Sequence, residues 1–328
     1  ELPYHPFVTL GAFVTISRQP NIVFIKLGDL SITSFDANTG VVTFSDAATN
    51  NVTRNLASDQ ARTLTVRTES SEYVIPNFKL WSIIVSNKDE LKAMNQYQAT
   101  DTGYAAITFD SDIQWTATPG EFNAETDLWS DSYQLSAGKT LWGGEFTGVI
   151  DGAGHTINDM TFAKLATGAP SIGGFVDAAV GVTVRDITIN TLALSNVGGG
   201  SFSGVFGEYV HGATVEDVTI NYKVTSVNGE GILFDKVRGT KDINLKNIVI
   251  VCDYNNYTQI TATLGWLYGC YTNPSYAFTG KVIVDNVTYV SQFPIKPAGR
   301  TAMHADNWNT VAYEYGDGIV KAEGAEKG

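Results

Sequence analysis

The sequence predicts an all-β chain in which residues 79–328 form a parallel β-helix, a solenoid of stacked strands, preceded by a small β-sandwich-like region at residues 1–78. Three observations lead there. A short motif recurs five times at solenoid spacing. Its segments are rich in β-branched residues and alternate with a period of two, which no helical period fits. The chain of 328 residues carries 32 Gly, 43% hydrophobic and only 17% charged residues, the composition of an ordered, turn-rich protein.

Residues 1–78 lack the motif. They hold apolar or alternating runs, FVTLGAFVTI, IVFIKL, GVVTFS, RTLTVRT and EYVIP, separated by turn-formers such as Asp36-Ala37-Asn38-Thr39-Gly40. A small sandwich ending near Pro76-Asn77 and an elaborate cap on the solenoid both fit these runs. Ser86-Asn87-Lys88-Asp89 then reads as a capping-box variant, and Leu91 with Met94 gives an apolar stripe. The expectation is a short capping helix at about residues 87–96 that covers the first solenoid layer, because an open repeat end exposes core and unpaired strand edges.

The repeat itself is INDMTF at 157–162, VRDITI at 184–189, VEDVTI at 215–220, LKNIVI at 245–250 and VDNVTY at 284–289, with successive Asp/Asn positions 27, 31, 30 and 39 residues apart. Side chains alternate across a strand, so one face of each segment is interior. Three inward columns result: Ile157, Val184, Val215, Leu245 and Val284; Met160, Ile187, Val218, Ile248 and Val287; and Phe162, Ile189, Ile220, Ile250 and Tyr289. Parity breaks by one residue at the Asp/Asn, which marks a corner. Asp and Asn tolerate left-handed backbone and bond to nearby main chain. Asp159, Asp186, Asp217, Asn247 and Asn286 are therefore expected to form a structural ladder. A Gly-rich strand ending in an aromatic precedes the repeats: GGF at 173–175, GVF at 204–206, ILF at 232–234 and LGW at 264–266, with Phe146 at the corresponding place in the first repeat.

The runs GEFTGVIDGAGHTINDMTF, GGFVDAAVGVTVRDITI and GVFGEYVHGATVEDVTI resemble the GLUG-type repeats of surface and secreted proteins from Bacteroides-like bacteria. The resemblance covers roughly residues 80–292. It implies a pectin-lyase-like, right-handed parallel β-helix in an extracellular or outer-membrane-surface location, and it supplies no activity and no catalytic signature.

Charge narrows the partners. Lys and Arg total 21 against 34 Asp and Glu, a formal charge of −13 without a basic cluster, which disfavours nucleic acid. No apolar run approaches the roughly 20 residues of a membrane span. Glu1 in place of an initiator Met predicts a processed or truncated chain with an export signal or lipid anchor upstream. No cofactor or metal is expected, since His5, His155, His211 and His304 are far apart and Cys252 and Cys270 lack ligand spacing. Inward parity would make the two cysteines neighbours, as buried thiols or as one disulfide.

Three functional classes stand. The first is a non-catalytic adhesion or binding module, for carbohydrate or another cell-surface component, resting on the long last repeat: DYNNYTQITATLGWLYGCYTNPSYAF offers Tyr254, Tyr257, Tyr271 and Tyr276 for stacking on sugar faces. Trp266 aligns with Phe175, Phe206 and Phe234 and is expected in the core. The second is a polysaccharide lyase or glycoside hydrolase, for which Asp110, Asp112, Glu145 and Asp151 are the available carboxylates. The third is a structural spacer. The row Asn158, Arg185, Glu216, Lys246 and Asp285 serves either a charged ligand track or an ion ladder that sets register, and Trp81, Trp115, Trp129 and Trp142 serve either core or surface.

Overall fold

The computed structural model describes residues 7–9, 13–15, 22–28, 31–36, 41–45, 62–69, 72–93, 103–123, 125–127, 129, 147–161, 172–192, 202–224, 231–254, 278–291 and 312–315. These are mostly strand. The N-terminal part contributes β1 (Phe7–Thr9), β2 (Phe13–Thr15), β3 (Ile22–Leu27), β4 (Ser31–Asp36), β5 (Val41–Ser45), β6 (Arg62–Thr68) and β7 (Glu72–Val85). Strands β1, β2, β5 and β4 form an antiparallel sheet in that order, while β3, β6 and β7 pair antiparallel in a second group. The expected boundary after residue 78 falls inside β7. Its first half pairs with β6 and its second half, Lys79–Val85, opens the parallel sheet.

The helix α1 (Lys88–Ala93) follows directly. Asn87 caps it through Oδ1, which accepts from Glu90 N at 3.0 Å, and Glu90 Oε2 accepts in return from Ser86 N at 2.7 Å. These reciprocal bonds satisfy backbone donors that a helix start leaves open. Leu91 is fully buried beneath it.

The remaining strands are β8 (Gly103–Phe109), β9 (Ile113–Gln114), β10 (Gly148–Asp151), β11 (Thr156–Met160), β12 (Ile172–Gly173), β13 (Val176–Thr191), β14 (Phe202–Ser203), β15 (Gly207–Val224), β16 (Phe234–Val237), β17 (Ile243–Tyr254), β18 (Lys281–Ser291) and β19 (Ala312–Tyr315). Strands β7, β8, β10, β13, β15, β17, β18 and β19 are hydrogen-bonded in chain order, every pair parallel. Each repeat of the sequence thus lies on the next, as one rung on another.

Register is continuous over the last four repeats. Val184, Val215, Leu245 and Val284 are mutual neighbours, as are Ile187, Val218, Ile248 and Val287, and Ile189, Ile220, Ile250 and Tyr289; all twelve are buried in one core. Val184 and Ile187 are three residues apart yet both inward, which a plain strand forbids. Asp186 between them resolves this with φ 49°, and Asp217, Asn247 and Asn286 repeat it at φ 52–54°.

The first repeat departs from the expected alignment. Ile150, not Ile157, pairs with Val184, and Ile157 pairs with Ile189, so the first apolar column begins at Ile150 and the third at Ile157. Asp159 accordingly does not join the corner row; with φ 56° it is an extra residue between Ile157 and Met160, and Met160 faces Thr191. Gly152 takes the place beside Asp186. Its N–H donates to Arg185 O at 2.9 Å, and an added Cβ there would lie 2.3 Å from Asp186 O. The physical reason is the turn Gly152–His155, which lengthens the first repeat between its two strand halves and displaces the Asp by one segment. Phe146, Phe162, Trp142 and Trp266 lie outside the described residues.

A second bend was not anticipated. Gly181 (φ 64°) and Gly212 (φ 79°) lie three residues before the first column, and a Cβ on Gly212 would approach Lys241 Cβ to 2.6 Å. Glycine there meets both the left-handed backbone and the close rung below. Along the interior runs an aromatic stack: Trp115 and Trp129 at 5.4 Å, Trp129 and Phe175 edge-to-face at 5.4 Å, then Phe175 and Phe206 at 6.4 Å. Trp115 and Trp129 are therefore core and supply no surface platform.

Candidate functional site

Each long strand has two outward stretches, one on either side of the Asp/Asn corner. The stretch before the corner carries charge. Asp151, Arg185, Glu216, Lys246 and Asp285 are register neighbours and alternate in sign without a break, because the corrected register places Asp151, not Asn158, above Arg185. Arg185 grips Asp151 Oδ2 through Nε at 2.9 Å and through its terminal nitrogen at 2.8 Å.

The two rows that follow the corner carry none, and the first charge beyond them is Lys223, in register with Asp253. The tripeptide Thr-Ile-Asn occurs three times, at 156–158, 188–190 and 219–221, and these copies stack. Thr156, Thr188, Thr219, Val249 and Thr288 form one row. Asn190, Asn221, Val251 and Val290 continue the other, headed by Gln114 and Asn158. The intervening isoleucines point inward and hold the rungs at the strand spacing of about 4.8 Å. Asn190 Nδ2 donates to Asn158 Oδ1 at 2.8 Å and Asn221 Nδ2 to Asn190 Oδ1 at 2.6 Å, so the amides are fixed by one another. Val249 and Val290 are 37% and 38% exposed. The result is a regular strip of hydroxyls, amides and methyl groups. Sequence reading passed over it, although the repeated triplet was its visible signal.

The corner between the two stretches is a ladder of a different kind. Asn286 Nδ2 donates to Asn247 Oδ1 at 2.8 Å, and Asn247 Nδ2 to Asp217 Oδ1 at 2.8 Å. At the next rung Asp186 meets Asp217, carboxylate against carboxylate. Burial, then Asp151 and Asp217, push the Asp186 carboxyl above its ordinary range, with Arg185 partly opposing. Asp159, away from this row, accepts from Gln114 Nε2 at 2.7 Å, Thr116 Oγ1 at 3.2 Å and Gly120 N at 2.8 Å, and so fastens the 114–120 segment.

The candidate carboxylates for catalysis have structural partners. Asp112 accepts from Thr156 N at 2.9 Å and lies 3.3 Å from His155 Nδ1, which together hold its carboxyl below the ordinary range. Asp151 is bound to Arg185, Asp110 Oδ1 accepts from Ser111 Oγ, and Glu145 lies outside the described residues. His211 Nε2 accepts from Thr240 N at 3.2 Å. Among the described residues there is no group of three or more potential metal ligands, and no helix is long and apolar enough to cross a membrane.

One buried carboxylate stands apart. Asp127, 1% exposed, accepts from Lys88 Nζ at 2.5 Å, Thr126 Oγ1 at 3.0 Å and Asn123 N at 3.0 Å. Burial raises its proton affinity, but the bonds from Lys88, Asn123 and Thr126 outweigh it and hold the carboxyl below the ordinary range. Lys88 and Lys92 both lie over the Trp115 ring, at 4.9 and 5.5 Å. This cluster ties α1 to the first aromatic of the core stack.

Of the four candidate ligand-binding tyrosines, Tyr254 ends β17 opposite Val224, while Tyr257, Tyr271 and Tyr276 lie outside the described residues. Cys252 is buried between the backbones of Tyr222 and Ser291, and Cys270 is outside them too. No protein-family model, curated protein or solved structure matches this chain.

Proposed function

We propose that this protein is a non-catalytic binding module of a secreted or cell-surface protein, built as a right-handed parallel β-helix, that engages an uncharged glycan. The observation that carries the reading is the pair of rows of Thr, Asn and Val after the corner, in which no residue is charged on a chain of formal charge −13. Threonine hydroxyls donate and accept; each ladder Asn keeps one N–H and one lone pair beyond its ladder bonds. Methyl and isopropyl groups between them offer the apolar contact that the C–H face of a sugar ring requires. Fixed side chains lose little entropy on binding.

The solenoid reading is supported by the in-register stacking of consecutive repeats and by two bends per rung, at Gly181 or Gly212 and at the Asp/Asn residue. A glycan array run beside a reducing-end release assay tests the function. Binding of neutral glycans without release is expected, and Thr188→Lys should abolish it while circular dichroism stays unchanged. Release of sugar ends from any polysaccharide would replace this reading with the enzyme.

A further inference from the structure

The rows of the strip run across the strands, not along them, and this limits the shape of what can lie there. A ligand that meets every rung must be an extended polymer laid perpendicular to the strands, with a repeat close to the strand spacing of about 4.8 Å. Pyranoses joined through equatorial bonds, as in β-1,4-linked chains, form a flat ribbon that advances by close to that distance per sugar. Helical α-linked chains curve away from a plane, and a single terminal sugar would use one rung alone.

Charge supplies the second constraint. The strip is bordered on one side by the corner row, in which Asp186 and Asp217 lie beside Thr188 and Thr219 while Asn247 and Asn286 are neutral, and on the other by Lys223 in register with Asp253. An anionic polymer such as a uronan would be laid against those carboxylates. The strip is also graded. Its first three rungs are Thr-Ile-Asn, the fourth is Val249-Ile250-Val251 and the fifth Thr288-Tyr289-Val290. Hydrogen bonding is thus concentrated at one end and apolar contact at the other.

Resting on the binding function proposed above, we infer that the ligand is an unbranched, uncharged, β-equatorially linked polysaccharide that runs along the Thr and Asn rows, one sugar to a rung. The probes are β-1,4-linked oligosaccharides of glucose, xylose and mannose, from disaccharide to hexasaccharide, with maltohexaose and oligogalacturonate as the α-linked and the anionic control. Isothermal titration of the intact chain should show affinity rising by about tenfold or more from disaccharide to pentasaccharide in at least one series, then levelling off as the rungs are filled. Both controls should stay weak.

A gain-of-function variant guards against a binding loss caused by misfolding. Val249→Thr combined with Val251→Asn converts the fourth rung to Thr-Ile-Asn, and affinity for the pentasaccharide should rise by about threefold or more while the tetramer-to-pentamer pattern persists. Binding of a disaccharide as tight as that of the hexasaccharide, preference for either control, or an unmoved affinity in the double variant overturns the inference and leaves the glycan-binding function standing. Failure to bind any glycan overturns both.

Discussion

The two outward stretches of each strand share a backbone, a rung spacing and a core, and differ in what their side chains do. Before the corner, Asp151, Arg185, Glu216, Lys246 and Asp285 alternate in sign down the stack, and Arg185 pairs with Asp151. A shift by one rung in that row would set like charges together, each unfavourable by up to about 1 kcal/mol, so the row selects register. After the corner, Thr-Ile-Asn repeats on three rungs before Val249-Ile250-Val251 and Thr288-Tyr289-Val290 follow, and a one-rung shift from Thr188 to Thr219 would change nothing. Within those three rungs the rows do not specify register. Identical residues on those rungs bond to one another, Asn221 to Asn190 and Asn190 to Asn158, and they would present the same groups to a ligand that has its own repeat. Under the proposed function, alignment falls to the charged side and recognition to the neutral one.

The largest effect comes from breaking what both sides share. Val218 and Ile248 sit on adjacent rungs in the second inward column, fully surrounded by core. Val218→Asp or Ile248→Asp buries an unpaired carboxylate at a cost of several kcal/mol, against a total stability of about 5–15 kcal/mol. Loss of the cooperative thermal transition is expected in both. A normal melting curve in either would mean that this column is not interior, and the assignment of the two sides would fall with it.

Much of this was legible in the sequence because a repeat overdetermines its own reading. Four segments with one aliphatic spacing fix which residues are inward, and the parity break at Asp186, Asp217, Asn247 and Asn286 shows where the backbone bends. The first repeat misled because its Ile-Asn-Asp-Met matched the later motif in composition, while the turn Gly152–His155 had already moved it one segment along. Only hydrogen-bonded register separates Ile150 from Ile157 as the partner of Val184. The Thr-Ile-Asn strip was visible but unweighted, since attention to Asp/Asn corners and aromatic loops favours chemically conspicuous residues over uniform ones. Burial of Trp115 and Trp129 could not be read at all, because neither belongs to a repeat.

A moderate effect tests the charged side directly. Arg185 is flanked by Asp151 above and Glu216 below, and the pair with Asp151 is mostly shielded from water. Arg185→Glu removes a two-point bond and places three carboxylates in succession. A loss of about 2 kcal/mol is expected by urea denaturation. Adding the compensating change Asp151→Arg should return part of it, since the introduced carboxylate then regains an opposite charge on one side while Glu216 stays beside it on the other. No recovery in the double variant would show that alternation of sign does not set the register.

The smallest effect lies at the boundary of the two sides, where the corner ladder has acid beside acid. Asp217 accepts from the amide of Asn247, whereas Asp186 lies between Gly152 and Asp217, and its carboxyl is held above the ordinary range by burial and by Asp151 and Asp217. A carboxyl that holds its proton more tightly folded than unfolded contributes stability when protonated. That contribution is complete below the ordinary Asp value of about 3.9 and is lost as pH rises through the elevated folded value. At neutral pH what remains is the repulsion. Asp186→Asn supplies the missing amide, as Asn247 does toward Asp217, and keeps the left-handed conformation that Asn tolerates as well as Asp. The variant should be more stable at neutral pH by about 0.5 kcal/mol, the scale of one exposed like-charge pair across strands. Asp127 and Asp112 act with the opposite sign, both held below the ordinary range and both losing their contribution as pH falls. They are common to both proteins, so the difference in unfolding free energy between variant and parent isolates the corner. That difference should shrink as pH falls through the elevated value and vanish below the ordinary value of about 3.9. A difference independent of pH would mean that Asp186 and Asp217 do not repel across the rung, and that the corner row, like the strip beside it, is indifferent to the charge it carries.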